Sequence, residues 1–555
     1  MSDSDKISEV LNFRVVIPSW KAPDQAIEKS SSDQTLLLKR KKNATKWLKE
    51  LMSAYEQNPT DHGATELYEV ASLYGEIAQL PKSIANLPHL SKLKIKAHKN
   101  SSLWELNPLR DGLDFSLGEE IDVHKQSAIA GIGKFRKLLI SNPSRPFCWS
   151  ELARHYLVVG EKEKAIRCMQ TAMHLTKNNR YLSRAATRLF VHVKEHERAL
   201  ELLRSEPSLK NDPWLLSAEI ATSAFANKQS TNIKTAQQLL ISGRYNNYQL
   251  SELAAAVGTV EIEHGATKKA KNLFNTSLIT PTANSLAQAQ WAVGQDSSIV
   301  IPASAWQTPD SYEASTLVAR QERNWTKAIM ECAKWLADEP FSIRPIYMGS
   351  YISFCPNLYS TAEKFANAGL RCDPNNTTLL NNRAVARAYL GRLDEAFIDV
   401  KTAQGNNEAK ESAHLLATLG LIAFRSDLPD LGRSYYNQSI AWFLQIKDRE
   451  SLASAILHMI KEEIRIDASQ IPVAIEIVNK IKTTTDSAKY PELYGSCESL
   501  LKEIDAKPSE NQEAACRSTL SSDEFKHQAS LFEFPKKSIG KKNMMKSISD
   551  IRKLI

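Results

Sequence analysis

Residues 146–179, PFCWSELARHYLVVGEKEKAIRCMQTAMHLTKNN, and residues 180–213, RYLSRAATRLFVHVKEHERALELLRSEPSLKNDP, decide how this chain folds. Laid over one another, Trp149 meets Ser183, Leu152 meets Ala186, Tyr156 meets Phe190 and Ala165 meets Ala199, all at a shift of 34 residues. The same shift carries Ala236 to Ala270, and Ala328 to Ala362 and on to Ala396, while slightly longer steps reach Gly432 and Ala474. Nine positions thus share one small-residue column. A fixed period of this size marks stacked supersecondary units, none of which can bury its apolar face alone.

The rest of the composition agrees. At 555 residues the chain would ordinarily be divided into three or four domains, but a stack of repeats can form one continuous core of any length. Only 19 residues are glycine, about half the usual share, which disfavours sheet-rich and glycine-loop architectures. The seven cysteines (148, 168, 332, 355, 372, 497, 516) are odd in number and contain no CxxC pair, so neither a disulfide framework nor a cysteine-based zinc site is expected. The first residues carry no apolar stretch behind basic ones, and no window of about 18 apolar residues occurs, so a cytoplasmic chain without a transmembrane segment is expected.

The column and its neighbours resemble the tetratricopeptide repeat family. Its 34-residue unit keeps small residues at unit positions 8, 20 and 27, large apolar ones at 4, 7, 11 and 24, and proline near 32. The unit from 146 supplies Trp149, Leu152, Ala153, Tyr156, Gly160, Ala165, Met169 and Ala172. The unit from 251 supplies Ala254, Val257, Gly258, Gly265, Ala270, Phe274 and Ser277, with Glu261 in place of the usual aromatic. The unit from 343 supplies Ile346, Gly349, Ala362, Ala366, Gly369 and Pro374, and the unit from 377 supplies Leu380, Ala384, Gly391, Ala396, Val400 and Ala403. The resemblance implies an all-α fold, a right-handed superhelical solenoid of helix-turn-helix repeats. Small residues let the paired helices approach, and large ones fill the space to the next unit.

The expected divisions are a flexible segment over 1–32, a helical region with degenerate capping repeats over 33–145 and a first repeat block over 146–293. A seam at 294–308, a second block over 309–488, a capping helix over 489–506 and a basic tail over 507–555 follow. An insertion at 227–232 separates the helices of one unit. The short run Phe13-Arg14-Val15-Val16-Ile17-Pro18-Ser19-Trp20 has no obvious core to join.

In the resembled family, positions 2, 5, 9 and 12 of the first helix line a concave peptide groove. In the first block these are Phe147, Arg154, Tyr181, Arg184 and Arg188, three guanidiniums with aromatics that would suit an acidic or carboxylate-bearing partner through bidentate hydrogen bonds. In the second block they are Arg344, Tyr347, Tyr351, Phe354 and Asn381, with Asn382 adjacent. Asn382 sits where carboxylate-clamping co-chaperones have an Asn, but Val385 and Tyr347 occupy the places of their second Asn and their Lys.

No catalytic residue, metal site or cofactor is assigned. His192-Val193-Lys194-Glu195-His196 fits HxxEH, yet falls where the family turns between helices, so the two imidazoles would not share a helical face and an exposed turn is expected. Gly131-Ile132-Gly133-Lys134 lacks the remaining residues of a phosphate loop, with Ala128 and Phe135 at the deciding positions, and reads as tight helix packing.

The net charge of +8 is unevenly spread. Residues 39–49, 82–99 and 534–555 carry more than all of it, leaving the repeat body mildly acidic. Lys39, Arg40, Lys41 and Lys42 are the candidates for phosphate contact. Met544, Ile548, Ile551 and Ile555 recur at steps of four, three and four, an apolar stripe for docking on a partner, on the solenoid's own end or on an anionic membrane. The reading is a non-enzymatic scaffold or adaptor that grips a protein, as peptide or helix, in its groove within a multi-component complex. The alternative is a nucleic-acid-associated subunit whose basic segments touch phosphates.

Overall fold

The computed structural model describes residues 13–20, positions 49, 52, 53, 56 and 57, and residues 117–506 apart from 142, 177 and 406–411. Lys39–Lys42 and the tail residues Met544, Ile548, Ile551 and Ile555 lie outside these.

From residue 117 onward the described chain is helical throughout, without strands among the described residues. The first helix, α1 (Leu117–Ser141), is followed by four hairpins: α2 (Pro146–Val158) with α3 (Lys162–Leu175), α4 (Arg180–His192) with α5 (His196–Ser205), α6 (Pro213–Phe225) with α7 (Ile233–Ile241), and α8 (Asn247–Glu263) with α9 (Thr267–Ser277). Next comes α10 (Ala283–Gln295), whose expected partner is replaced by a short 3₁₀ turn at Ala303–Gln307. Four more hairpins follow: α11 (Tyr312–Gln321) with α12 (Trp325–Asp338), α13 (Ile343–Ile352) with α14 (Tyr359–Cys372), α15 (Thr377–Tyr389) with α16 (Leu393–Gln404), and α17 (Ser412–Arg425) with α18 (Pro429–Ile446). The stack ends in α19 (Arg449–Ile466), α20 (Ile471–Thr484) and α21 (Pro491–Asp505).

Local chemistry sets these boundaries. Asn179, Asp212, Asn324, Asn376 and Asp448 accept a backbone N–H of the helix they precede, and Asn246 with Gln249 and Thr282 with Ser285 form reciprocal capping boxes. Proline opens α2, α6, α18 and α21, where its missing N–H has no helical partner to lose. All nine members of the small-residue column are buried: Ala165, Ala199, Ala236, Ala270, Ala328, Ala362, Ala396 and Ala474 have no exposed surface, and a methyl group on Gly432 would lie 2.4 Å from the Phe424 ring. The column therefore works as expected, as the seam along which paired helices meet.

Three places bear on the sequence reading in detail. Residues 117–141 form one 25-residue helix, and Gly131 packs tightly as expected, held against His155, whose ring a methyl there would approach to 2.4 Å. At the seam, Ile299 and Ala305 are buried in the core of the first block, so this unit keeps its packing after losing its second helix. In the HxxEH turn Lys194 is exposed as expected, but the two histidines are half-buried: His192 ends α4 against Phe341 at 5.5 Å between ring centroids, and His196 opens α5 against Phe225 at 5.5 Å. Their separation by the turn agrees with the reading that they do not share a face.

The stack winds far enough to meet itself. Helix α1 packs on α12 and α14, and the α2–α3 turn comes so close to the end of α14 that a methyl on Gly160 would lie 2.3 Å from the Arg371 carbonyl oxygen. The Cys372 thiol points at the Val158 carbonyl at 3.6 Å, and Phe341, from the loop before α13, is buried in the core of the first block.

Candidate functional site

An interior surface bounded by α6, α10, α11 and α13 is occupied. Residues 13–20 lie on it, with Arg14, Val15, Val16, Pro18 and Trp20 buried. The expectation that residues 1–32 form only a flexible segment fails for this stretch, whose core lies hundreds of residues away in sequence.

Arg14 sets the register. Its Nε and Nη2 donate to the two oxygens of Glu313 at 2.9 and 2.7 Å, Nη1 donates to Gln288 Oε1 at 2.7 Å, and Nη2 also reaches Asn284 Oδ1 at 3.0 Å. The same two amides read the segment's main chain: Gln288 Nε2 donates to the Arg14 carbonyl at 2.7 Å and Asn284 Nδ2 to the Ile17 carbonyl at 2.9 Å. Thr259 Oγ1 accepts a second bond from Gln288 Nε2 at 2.9 Å, so the amide is fixed with its oxygen toward the guanidinium. Arg344 donates to the Phe13 carbonyl at 3.1 Å and pairs with Glu313 at 3.0 Å. Burial opposes ionisation of Glu313, but the Arg14 and Arg344 guanidiniums overcome it and hold the carboxyl at about 2.

Aromatic contacts fix the ends. The Phe13 ring meets Phe225 edge-on at 5.4 Å, and Trp20 packs on Phe341 at 5.5 Å. The Trp20 indole N–H faces the Tyr181 hydroxyl without meeting full hydrogen-bond geometry.

The sequence-assigned groove residues are engaged within the chain. Arg154 pairs with Glu151 at 2.8 Å, and Tyr181 donates to Glu151 at 3.4 Å while its ring packs on Phe147 at 5.7 Å. Arg184 pairs with Glu252 at 2.8 Å over the Trp214 ring, and Arg188 donates to Ser342 at 2.9 Å over the Phe341 ring, near Glu339. Three guanidiniums thus meet three carboxylates of the chain itself, which removes the basis for expecting an acidic ligand.

In the second block, Tyr347 bonds with Asn376, Tyr351 donates to Glu450 at 3.5 Å, and the Phe354 ring lies 6.3 Å from Tyr359. Asn381 accepts from Thr418 at 2.7 Å, and Asn382, buried, donates to Ser350 at 3.0 Å. Of the assigned residues only Arg344, Tyr181 and, through Phe341, Arg188 belong to the occupied site. Asn284, Gln288 and Glu313 were missed, because α10 and α11 border the seam where the repeat register is lost.

Among the described residues, no group of three or more His, Cys, Asp or Glu is arranged to hold a metal ion, and no helix is long and apolar enough to cross a membrane. Burial pushes His192 down to about 3, with Arg188, Lys162 and Lys194 adding repulsion, so it is neutral at ordinary pH.

One geometric feature decides the architecture. The eight hairpins each turn through one residue in the left-handed region, Gly160, Lys194, Asn227, Gly265, Arg323, Asn357, Gly391 and Asp427, which recur at or near the 34-residue period on either side of the seam. The chain is an all-α solenoid of stacked helical hairpins. No family model and no curated protein matches the sequence. Among solved structures, yeast Tom70 is similar at 11% identity over 71% of this chain and 96% of that one, with a TM-score of 0.29. The APC/C hetero-tetramer Cut9-Hcn1 is similar at 11% identity over 66% of this chain and 98% of that one, with a TM-score of 0.24. In this solenoid of helical hairpins the surface around residues 13–20 carries the most specific contacts described above.

Proposed function

We propose that the protein is a non-enzymatic interaction scaffold whose solenoid interior holds an extended polypeptide within a multi-component assembly. The seating of residues 13–20 by Asn284, Gln288, Glu313 and Arg344 carries this reading: side-chain amides and a guanidinium bond to main-chain carbonyls, which is how a surface recognises an extended chain. The long ordered stack behind these residues supplies the rigidity such recognition needs. The absence of free cations among Arg154, Arg184 and Arg188 favours a partner that is not acidic.

Affinity purification of the full chain at near-physiological salt, with mass spectrometry of what accompanies it, tests the reading. Recovery of the same proteins in stoichiometric amount is expected. A bare monomer in every preparation overturns it.

A further inference from the structure

We propose that residues 13–20 are an exchangeable resident ligand, and that the solenoid's partner is a second extended segment of the same chemistry, an arginine flanked by apolar residues with a large aromatic six positions on, which displaces it. This rests on the scaffold reading above and adds the identity of the recognised segment and the way access to it is controlled.

The receptor is built for that side chain. Four oxygens from three residues converge on one guanidinium: Glu313 with both of its atoms, Gln288 Oε1 and Asn284 Oδ1, between 2.7 and 3.0 Å. A carboxylate in the same place would face only acceptors, and a lysine could not span them, because the arrangement matches a planar fork of donors. Six residues on, Trp20 is 1% exposed against Phe341, which defines a second, aromatic subsite. Between the two, Gln288 and Asn284 bond to carbonyls that any sequence possesses. Specificity therefore resides at the two ends of the segment and main-chain recognition in its middle.

The walls of the site suit exchange. Without the segment, Glu313 keeps Arg344, Gln288 keeps Thr259, and Asn284 is a polar amide that water can satisfy. The segment is also remote from the helices that hold it: residues 21–116 separate Trp20 from α1, so the bond between ligand and receptor is not enforced by a short connection. Occupancy by the chain's own segment lowers the apparent affinity for any competitor by the fraction of time the site stands empty.

The test is direct binding in trans. A fluorescent peptide of residues 10–22 is titrated by anisotropy into the full wild-type chain and into a full chain carrying Phe13→Ala, Arg14→Ala and Trp20→Ala, none of which alters the receptor walls. Saturable binding at least about tenfold tighter to the triple variant than to wild type is expected, since a resident ligand free for a tenth of the time or less masks the site by that factor. A peptide with Arg14→Glu should bind neither. Equal binding to both chains, or none to a triple variant whose circular dichroism is that of wild type, overturns the proposal.

If the triple variant fails to fold, a protease site placed after residue 22 of the otherwise wild-type chain serves instead. After cleavage the freed segment should leave on gel filtration and exchange with labelled peptide, whereas retention without exchange overturns the proposal. Both assays use purified chain and peptide alone, so loss of the scaffold reading, seen as no partner on affinity purification, is read separately.

Discussion

Replacing Arg14 by Ala perturbs the occupied interior without touching its walls, and its cost can be worked from the structure. Arg14 and Arg344 together hold the Glu313 carboxyl at about 2 against an ordinary 4.5, a shift equivalent to about 3 kcal/mol, and an even split between the two guanidiniums assigns Arg14 about 1.5 kcal/mol. Its further bonds to Gln288 and Asn284 add about 1 kcal/mol each, since both acceptors can be rehydrated once the guanidinium is gone. The sum is about 3.5 kcal/mol, so release of the segment becomes more frequent by a factor on the order of 100 or more. Chymotrypsin reads this as cleavage after Trp20, which is sheltered against Phe341 while the segment is seated and is cut in proportion to the released population when opening and closing are fast. The product ending at Trp20, followed by intact mass at low protease, should appear at least about 100-fold faster from Arg14→Ala. The same substitution in a chain already carrying Glu313→Gln should accelerate cleavage about tenfold less, because the shared charge is already absent. Less than a threefold change in the first comparison, or no coupling in the second, would refute the electrostatic account.

Glu313 and Glu450 should respond to pH in opposite senses. The Glu313 carboxyl titrates lower in the folded chain than unfolded, so its contribution is complete above about pH 4.5 and is lost as pH falls toward 2; the excess thermal stability of wild type over Glu313→Gln should shrink across that range. Burial, with Glu492 and Asp448 adding repulsion, raises Glu450 to about 7, so its ionisation weakens the fold progressively between about pH 4.5 and 7. Glu450→Gln should therefore stabilise by about 2 to 3 kcal/mol at pH 8 and by almost nothing at pH 4.5, measured by urea unfolding at the two pH values. Gly160→Ala should destabilise by about 2 to 3 kcal/mol, combining a left-handed backbone with a methyl against the Arg371 carbonyl, and hydrogen exchange should show the loss in both the α2–α3 turn and the end of α14. Loss confined to the turn would show that the contact between the two is not stabilising.

How much of this was legible follows from the distance over which each contact acts. The hairpins were readable because their packing is local: Phe274 against Gly258, or Gly432 against Phe424, joins residues within one unit, and the small-residue column repeats the requirement along the chain. Of the residues assigned to a groove, Arg344 does reach the site that holds residues 13–20, while Arg184 and Arg188 are engaged by other residues of the chain. Their partners were not legible, since Arg184 meets Glu252 68 residues on and Arg188 meets Glu339 151 residues on, pairings set by how tightly the superhelix winds. The resident segment left a weaker trace. Its Val15, Val16, Ile17 and Pro18 form an apolar, extended run with no local helix to cover, yet Arg14 bonds to residues 270 to 299 positions away. A pattern with a fixed period cannot announce an interaction that occurs once.

The winding and the segment depend on each other in a way that neither the repeats nor the short run implies alone. Phe341 belongs to the loop before α13, but it is buried in the first block, where it touches Trp20, His192 and the Arg188 guanidinium. Phe13 meets the end of α6 while Arg14 bonds α10 and α11, so eight residues of extended chain connect helices from both blocks. In a solenoid whose units contact chiefly their neighbours, the superhelical pitch is set by many small rotations and is soft to bending. A ligand that bridges distant units therefore stiffens the pitch at a few points, adding to the contacts of α1 with α12 and α14 that also join the two blocks. The acceptors that select an arginine and the aromatic pair that selects Trp20 then do two tasks with one set of contacts, recognising a segment and fixing the curvature of the surface that recognises it.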